Sequence, residues 1–167
     1  MMETEKPSSR ADVEATFKKN RDLSDFDLSS LDLSGIKLIG FNGEKMDFSQ
    51  ANLTEAVIAG ANLEGANLSD ALLNDTLVAG VNLEDADLTG ADLTNSRWLG
   101  VNVSGADFSG ANTAGAKASG VSWSSAKVSP EDIPEALLNF PVWLPALLFG
   151  LVALVLILIV KNRRTKD

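Results

Sequence analysis

The sequence predicts an all-β solenoid, preceded by a short capping helix and followed by one transmembrane α-helix. Three patterns carry that expectation: a large apolar residue at nearly every fifth position between Arg21 and Pro130, a glycine every twentieth position from Gly40 to Gly120, and an unbroken apolar run from Val142 to Val160. In a chain of 167 residues they divide the molecule into an N-terminal segment (1–20), a repeat region (21–130), a connector (131–141), a span (142–160) and a basic tail (161–167). That length suits a single modest core.

The N-terminal segment has no apolar stretch of the kind a secretory signal needs, so it reads as part of the fold. Ser9 followed by Asp12 predicts an N-cap, Val13 and Phe17 share one helical face, and Asn20 suits the C-terminus. Repeat arrays need polar-faced caps over their exposed core ends, which assigns Val13 and Phe17 to covering the first coil.

The five-residue rhythm is clearest in ANLTE, ANLEG, ANLSD, ADLTG and ADFSG. With the central residue called i, positions i from Leu23 to Val128 are Leu, Ile, Val, Phe or Trp except at Gly43, Thr113 and Ala118, and i−2 is mostly Ala in the later two thirds. One large and one small inward position per five residues fits neither a helical period of 3.6 nor a strand period of 2. Dense Gly, Asn, Asp, Ser and Thr further disfavour helix, because these residues offer the backbone competing local hydrogen bonds. Short straight sides joined by tight corners satisfy the pattern.

The triplets Ala51-Asn52-Leu53, Ala61-Asn62-Leu63, Ala66-Asn67-Leu68, Ala86-Asp87-Leu88 and Ala91-Asp92-Leu93 are similar to the A(D/N)LXX consensus of the pentapeptide-repeat proteins, and the resemblance extends over 110 residues. It implies a right-handed quadrilateral β-helix with four pentads per coil and i and i−2 inward; 22 pentads then make about 5.5 coils. The first coils depart from the consensus. Phe26, Leu31, Ile36, Phe41 and Met46 are bulky at i−2, which predicts an irregular first coil and makes Gly43 a volume compensation beside Phe41.

A period of 20 supports four sides per coil independently of the family. Gly40, Gly60, Gly80, Gly100 and Gly120 mark a corner that needs positive φ or close backbone approach. Sides one to four begin at Leu23, Leu28, Leu33 and Leu38. Side one carries an i−1 column of Asn42, Asn62, Asn82 and Asn102 beside Glu44, Glu64 and Glu84; side two carries Asp27, Asp47, Asp87 and Asp107, interrupted by Asn67. Coils ~4.8 Å apart make a rod of roughly 26 Å. Side four differs: Lys37, Val57, Leu77, Arg97 and Lys117 alternate with Ile39, Ala59, Ala79, Leu99 and Ser119, an apolar stripe with bases toward both ends. Ile39, Val57, Leu77, Arg97 and Leu99 form the candidate protein-binding face.

The acidic columns admit sharper assignments. Stacked carboxylates attract hard cations, but one carboxylate per rung lacks the convergence that six to eight oxygen ligands require, so no metal site is assigned. Some soluble members of the resembled family bind type II topoisomerases as mimics of duplex DNA, which makes an acidic DNA-mimic inhibitor the alternative function. A solvated face that opposes aggregation accounts for the same acids. Trp98 and Trp123 fall at i, so they belong to the core, with Ser96, Thr113 and Ala118 making room.

The run from Val142 to Val160 extends roughly 28 Å as a helix, about the hydrocarbon thickness of a bilayer. Trp143 suits one interface, and Lys161, Arg163 and Arg164 follow the other end. A core helix apolar on every side is the alternative, but so small a protein could hardly cover it. Orientation sets two rules in opposition. The basic tail favours a cytoplasmic C-terminus, whereas a rod synthesised and folded before its only hydrophobic signal favours a cytoplasmic rod, which is the orientation assigned.

Composition narrows the chemistry. With no Cys, His or Tyr, disulfides, imidazole or thiolate metal sites and Ser-His or Cys-His nucleophile pairs are excluded. The formal charge of −9 resides wholly in residues 21–130, with 15 acids against 6 bases, which argues against direct nucleic-acid binding. The expected function is a non-catalytic, cofactor-free scaffold or binding module in a single-pass membrane protein. Its partners would be the lipid bilayer and another protein, as subunit or assembly factor of a membrane complex, with oligomerisation left open. The resemblance implies a bacterial inner or thylakoid membrane.

Overall fold

Each pentad makes the same small set of backbone hydrogen bonds. In the pentad centred on Leu63, the Leu63 N–H donates to Asn82 O in the next turn (2.7 Å), Gly65 N–H to Glu84 O (2.8 Å), and Asn62 N–H reaches back to Phe41 O (3.0 Å). Ala66 N–H donates to Leu63 O (3.1 Å), closing the corner. Such a corner needs positive φ at i+2. Gly65 supplies it at φ 64°, and Asp25, Asp70, Asp75, Asp85 and Asn95 adopt φ of 55–60°, which short Asx side chains tolerate better than most. Polar and glycine residues therefore recur at i+2, while i and i−2 are left to face inward.

The computed structural model describes residues 7–136. Their order is helix α1 (Arg10–Lys19), strands β1 (Lys37–Ile39), β2 (Val57–Ala59), β3 (Leu77–Ala79), β4 (Arg97–Leu99) and β5 (Lys117–Ser119), a 3-10 turn (Trp123–Ser125), and β6 (Glu135–Ala136). The six strands form one all-parallel sheet in sequence order, with β1 to β5 offset by 20 residues per step. Three further parallel ladders accompany it, starting from Asp22–Asn42, Asp27–Asp47 and Asp32–Asn52. The chain is a parallel β-solenoid of about five turns with one short helix.

The interior is a continuous stack. Leu23, Leu28, Leu33, Leu38, Phe48, Leu53, Ile58 and their successors at i are buried, with Ala51, Ala56, Ala66, Ala71, Ala86, Ala91 and Ala106 buried at i−2. The first turn keeps the regular ladder, contrary to the irregularity expected from its bulky i−2 residues. Phe26 and Leu31 remain partly buried against the core rather than forcing the coil open. Gly43 explains how the next turn accepts Phe41 and Met46: a methyl added there would lie 2.5 Å from Met46 Sδ, 2.7 Å from Phe41 Cε2 and 2.9 Å from Leu63 Cδ2. The space normally filled by the i side chain is occupied by its neighbours.

Helix α1 begins where Ser9 Oγ accepts the Asp12 N–H (3.3 Å) and donates to the Asp12 carboxylate (2.8 Å). Its Asn20 cap returns an N–H to Thr16 O. Val13 and Phe17 are buried in the same cluster as the first coil, Phe17 lies edge-on to Phe41 at 5.5 Å, and the Arg21 guanidinium sits 4.1 Å from the Phe17 ring centre. Arg10 donates to Ser34 O, fixing the helix to the coil beneath it.

The C-terminal turn corrects the extrapolated phase. The 3-10 turn inserts one residue, so Gly105 N–H pairs with Ser125 O and Asp107 bridges Val128 instead of Lys127. A one-residue slip exchanges inward and outward positions, and Val128, inward by the pentad count, is exposed. β6 then joins β5 with an offset of 18 residues, Lys117 opposite Glu135, so the array has about five turns rather than 5.5. Trp123 stays buried, packed 6.0 Å from Trp98 and 5.4 Å from Phe108. Among the described residues no helix is long and apolar enough to cross a membrane; the span at 142–160 and its flanking Trp143, Lys161, Arg163 and Arg164 lie outside the described residues.

The compensation at Gly43 is directly testable. Gly43→Leu alone should destabilise by overpacking, and Phe41→Ala alone should cost about 3–5 kcal/mol through its cavity. The double variant, which writes the consensus Ala-Asn-Leu at 41–43, should recover most of the loss in thermal or urea unfolding; additive losses would contradict the account.

Candidate protein-binding face

The fourth ladder, β1 to β5, differs from the other three in both shape and charge. Its inward column, Leu38, Ile58, Val78, Trp98 and Ala118, is buried; the two outward columns are Lys37–Val57–Leu77–Arg97–Lys117 and Ile39–Ala59–Ala79–Leu99–Ser119, in register. Ile39 is 52% exposed and Leu99 37%, whereas Val57 and Leu77 are half-buried, so the centre of the face is low and its apolar ends stand out. The corner beyond is glycine in every turn, with φ of 57–68°, and at Gly40, Gly80 and Gly100 a methyl group would meet no atom within 4 Å. No side chain borders the stripe on that edge.

Its chemistry is unlike the rest of the rod. The 20 residues of the five strands and their corner glycines (37–40 and each later set) include Lys37, Arg97 and Lys117 but no acid, in a region with 15 acids and 6 bases. At the N-terminal end an open groove of about 220 Å3 is lined by Arg10, Glu14, Phe17, Lys18, Gly35 and Lys37. Arg10 is paired there with Glu14 (3.0 Å), while Arg21 donates to Ile39 O (2.8 Å). At the other end Lys117 has Glu135 of β6 as its strand neighbour.

The first two ladders hold the acids. On the first, Asn42 Nδ2 donates to Asp22 Oδ1 (3.1 Å), and Asn62, Asn82 and Asn102 continue the chain of amide bonds at 3.0, 3.0 and 2.7 Å. Glu44 is half-buried and Glu64 and Glu84 are exposed, with Glu84 accepting from Asn102 Nδ2 (3.3 Å). On the second, Asp27, Asp47, Asp87 and Asp107 each accept the N–H of the residue two positions on. The carboxylates close their own turns and follow one another up the rod instead of converging. Among the described residues no group of three or more acids is placed to hold a metal ion.

Two features escaped the sequence. Leu72, 43% exposed, interrupts the Asp and Asn column of the third ladder and adds an apolar residue outside the fourth. Ser96 is more than a small neighbour of Trp98: its Oγ accepts the indole N–H (2.9 Å) and donates to Leu93 O (2.6 Å), so the buried tryptophan keeps a partner. Ser at i−2, where Ala is usual, beside Trp at i was the available signal.

The family described as pentapeptide repeats (8 copies) matches residues 32–70, 66–97 and 86–122, more than half of the chain. This protein belongs to the pentapeptide-repeat family. Among solved structures it is similar to HetL, a pentapeptide repeat protein involved in heterocyst differentiation regulation from the cyanobacterium Nostoc sp. strain PCC 7120, with 28% identity and a TM-score of 0.55 over 64% of this chain and 48% of HetL. The chain thus spans about half of HetL's length. QnrB1, a plasmid-mediated fluoroquinolone resistance protein, aligns at 19% identity and a TM-score of 0.44 over 65% of this chain and 74% of its own. A pentapeptide repeat protein of the Arabidopsis thaliana thylakoid lumen aligns at 34% identity and a TM-score of 0.18, covering 52% and 63%. No curated protein matches the chain.

Asp107 reports the electrostatics of the acidic ladder. The Ser109 hydroxyl and backbone N–H, then Lys127 at 3.1 Å, lower its pKa to about 2. A depressed carboxyl contributes stability that is complete above its unfolded value near 3.8 and is lost as pH falls toward 2. In a carboxyl NMR titration Ser109→Ala should raise the Asp107 pKa more than Lys127→Ala does; the reverse order would show that the ion pair dominates.

Proposed function

We propose that this protein is a non-catalytic binding module whose fourth-ladder face docks another protein, with the solenoid held at a membrane by the apolar run 142–160. The observation that carries the docking role is the acid-free stripe of Val57, Leu77, Ile39 and Leu99 on an otherwise acidic rod. A contiguous apolar patch rimmed by bases on a charged solenoid is a recognised signature of an interface. The likeness to HetL, itself involved in regulating differentiation, accords with a role exerted through binding. In this proposal the coil is right-handed with four straight sides, each ladder running along one of them.

Membrane attachment rests on the length and composition of 142–160 and on the bases that follow it. The rod is assigned to the cytoplasmic side, because translocating a seven-residue tail is easier than exporting a folded solenoid. Protease added to sealed right-side-out vesicles should leave the rod intact until lysis; digestion before lysis would place it outside.

The acidic first and second ladders favour a second role, mimicry of duplex DNA toward a nucleic-acid enzyme such as a type II topoisomerase. Capture from detergent-solubilised native membranes separates the two. Val57→Glu with Leu77→Glu should abolish partner capture and leave far-UV circular dichroism unchanged. Loss of capture in Asp87→Lys with Asp107→Lys, and not in the fourth-ladder pair, would transfer the function to the acidic face.

A further inference from the structure

Resting on the docking role of the fourth ladder, we infer that its occupant is an acidic amphipathic α-helix lying along the rod axis across β1 to β5. Four observations converge on that chemistry. First, the face is the flat side of a sheet whose backbone N–H and C=O groups are engaged in the ladder, so it has no hydrogen bonds to give an extended peptide. A helix satisfies its own backbone and needs only side-chain contact.

Second, the spacing fits. Strands recur every ~4.8 Å and helical turns every ~5.4 Å, so over three or four rungs apolar residues at i, i+3, i+4 and i+7 of a partner keep step with Val57, Leu77 and the alanines between Ile39 and Leu99. The low centre and raised ends form a shallow trough, and the bare glycine corner lets a cylinder about 10 Å wide settle over Ala59 and Ala79 without meeting a side chain on that edge.

Third, the charge is complementary to acids. Lys37 and Arg97 occupy equivalent positions three rungs apart, about 14 Å, which a helix covers in roughly ten residues. Lys18 extends the positive end beside Lys37, and Lys117 follows Arg97, although Glu135 lies next to it. The partner therefore presents carboxylates ten or eleven residues apart, flanking its apolar stripe.

Fourth, the same charges disfavour the other occupants. A second copy docked face to face sets Lys37 against Arg97 or Lys37 against Lys37, with no acid on the face to offset either. A bilayer would take apolar side chains that insert, and here Val57 and Leu77 are half-buried while the fourth ladder exposes no aromatic residue.

The test uses the full chain in mild detergent and two labelled synthetic helices. Both carry leucines at i, i+3, i+4 and i+7; one ends the stripe with glutamates eleven residues apart, the other with lysines. Fluorescence anisotropy should show the glutamate helix binding at least tenfold more tightly than the lysine helix. Lys37→Glu with Arg97→Glu should invert that preference, and Val57→Glu with Leu77→Glu should abolish binding of both. Equal binding of the two helices, or no inversion, overturns the inference. So does binding of anionic phosphatidylserine vesicles that the Lys37, Arg97 double variant loses while neither helix binds. If neither helix binds yet Val57→Glu with Leu77→Glu still abolishes capture of the native partner, the helical occupant is wrong and the docking face stands. If that capture is also unaffected, the docking role itself fails.

Discussion

The parallel ladder between turns 20 residues apart is the constraint on which the rest of the structure depends. Every turn donates to one neighbour and accepts from the other, as Leu63 does toward Asn82 and Asn62 toward Phe41, so each residue's place is fixed by the residue 20 positions away. Once that register holds, the interior must be filled by what two inward positions per pentad supply. A large side chain at i and a small one at i−2 fill it, and exceptions arrive in pairs: Phe41 with Gly43, and Trp98 with Ser96. The outward positions are then free to differ from side to side. Each ladder becomes a column of one chemical character: amides on the first, carboxylates on the second, apolar and basic groups on the fourth.

Functional specialisation follows from the same stacking. A side chain that recurs every 20 residues is repeated at strand spacing along the rod, so a modest preference at one position grows into a continuous surface. On the first ladder repetition links Asn42, Asn62, Asn82 and Asn102 through their amides, and on the second each Asp serves its own turn. Those columns are occupied in building the corners. On the fourth ladder Val57, Leu77, Ile39 and Leu99 have no such duty, and the glycine corner beside them leaves the stripe open.

Much of this was legible in the sequence because the repeat writes its register directly. The inward column, the glycine corner, the Ser9 cap and the buried pair Val13 and Phe17 all follow from spacing, and the structure places them as the spacing requires. What the pattern hid lies where its physics changes. The first coil was expected to be irregular, yet Phe26 and Leu31 lie partly out of the core and the ladder is undisturbed. At the other end the pentad count cannot register a single inserted residue, so it turned Val128 inward and lengthened the array by half a turn. Hydrogen bonding to Trp98 was hidden for another reason: volume alone accounted for Ser96, and the acceptor role needs the geometry.

The slip at Trp123–Ser125 is tolerated because no complete turn follows it. Within the array the same insertion would separate every later inward residue from its column. The most direct measurement is therefore a pair of full-length variants compared by thermal unfolding: one with a single residue inserted after Gly80, the other with residues 61–80 duplicated. The account predicts that duplication preserves a cooperative transition at the wild-type temperature or above, and that the single insertion lowers or abolishes it. Equal stability of the insertion variant and the wild type would contradict the claim that the 20-residue register holds the fold together.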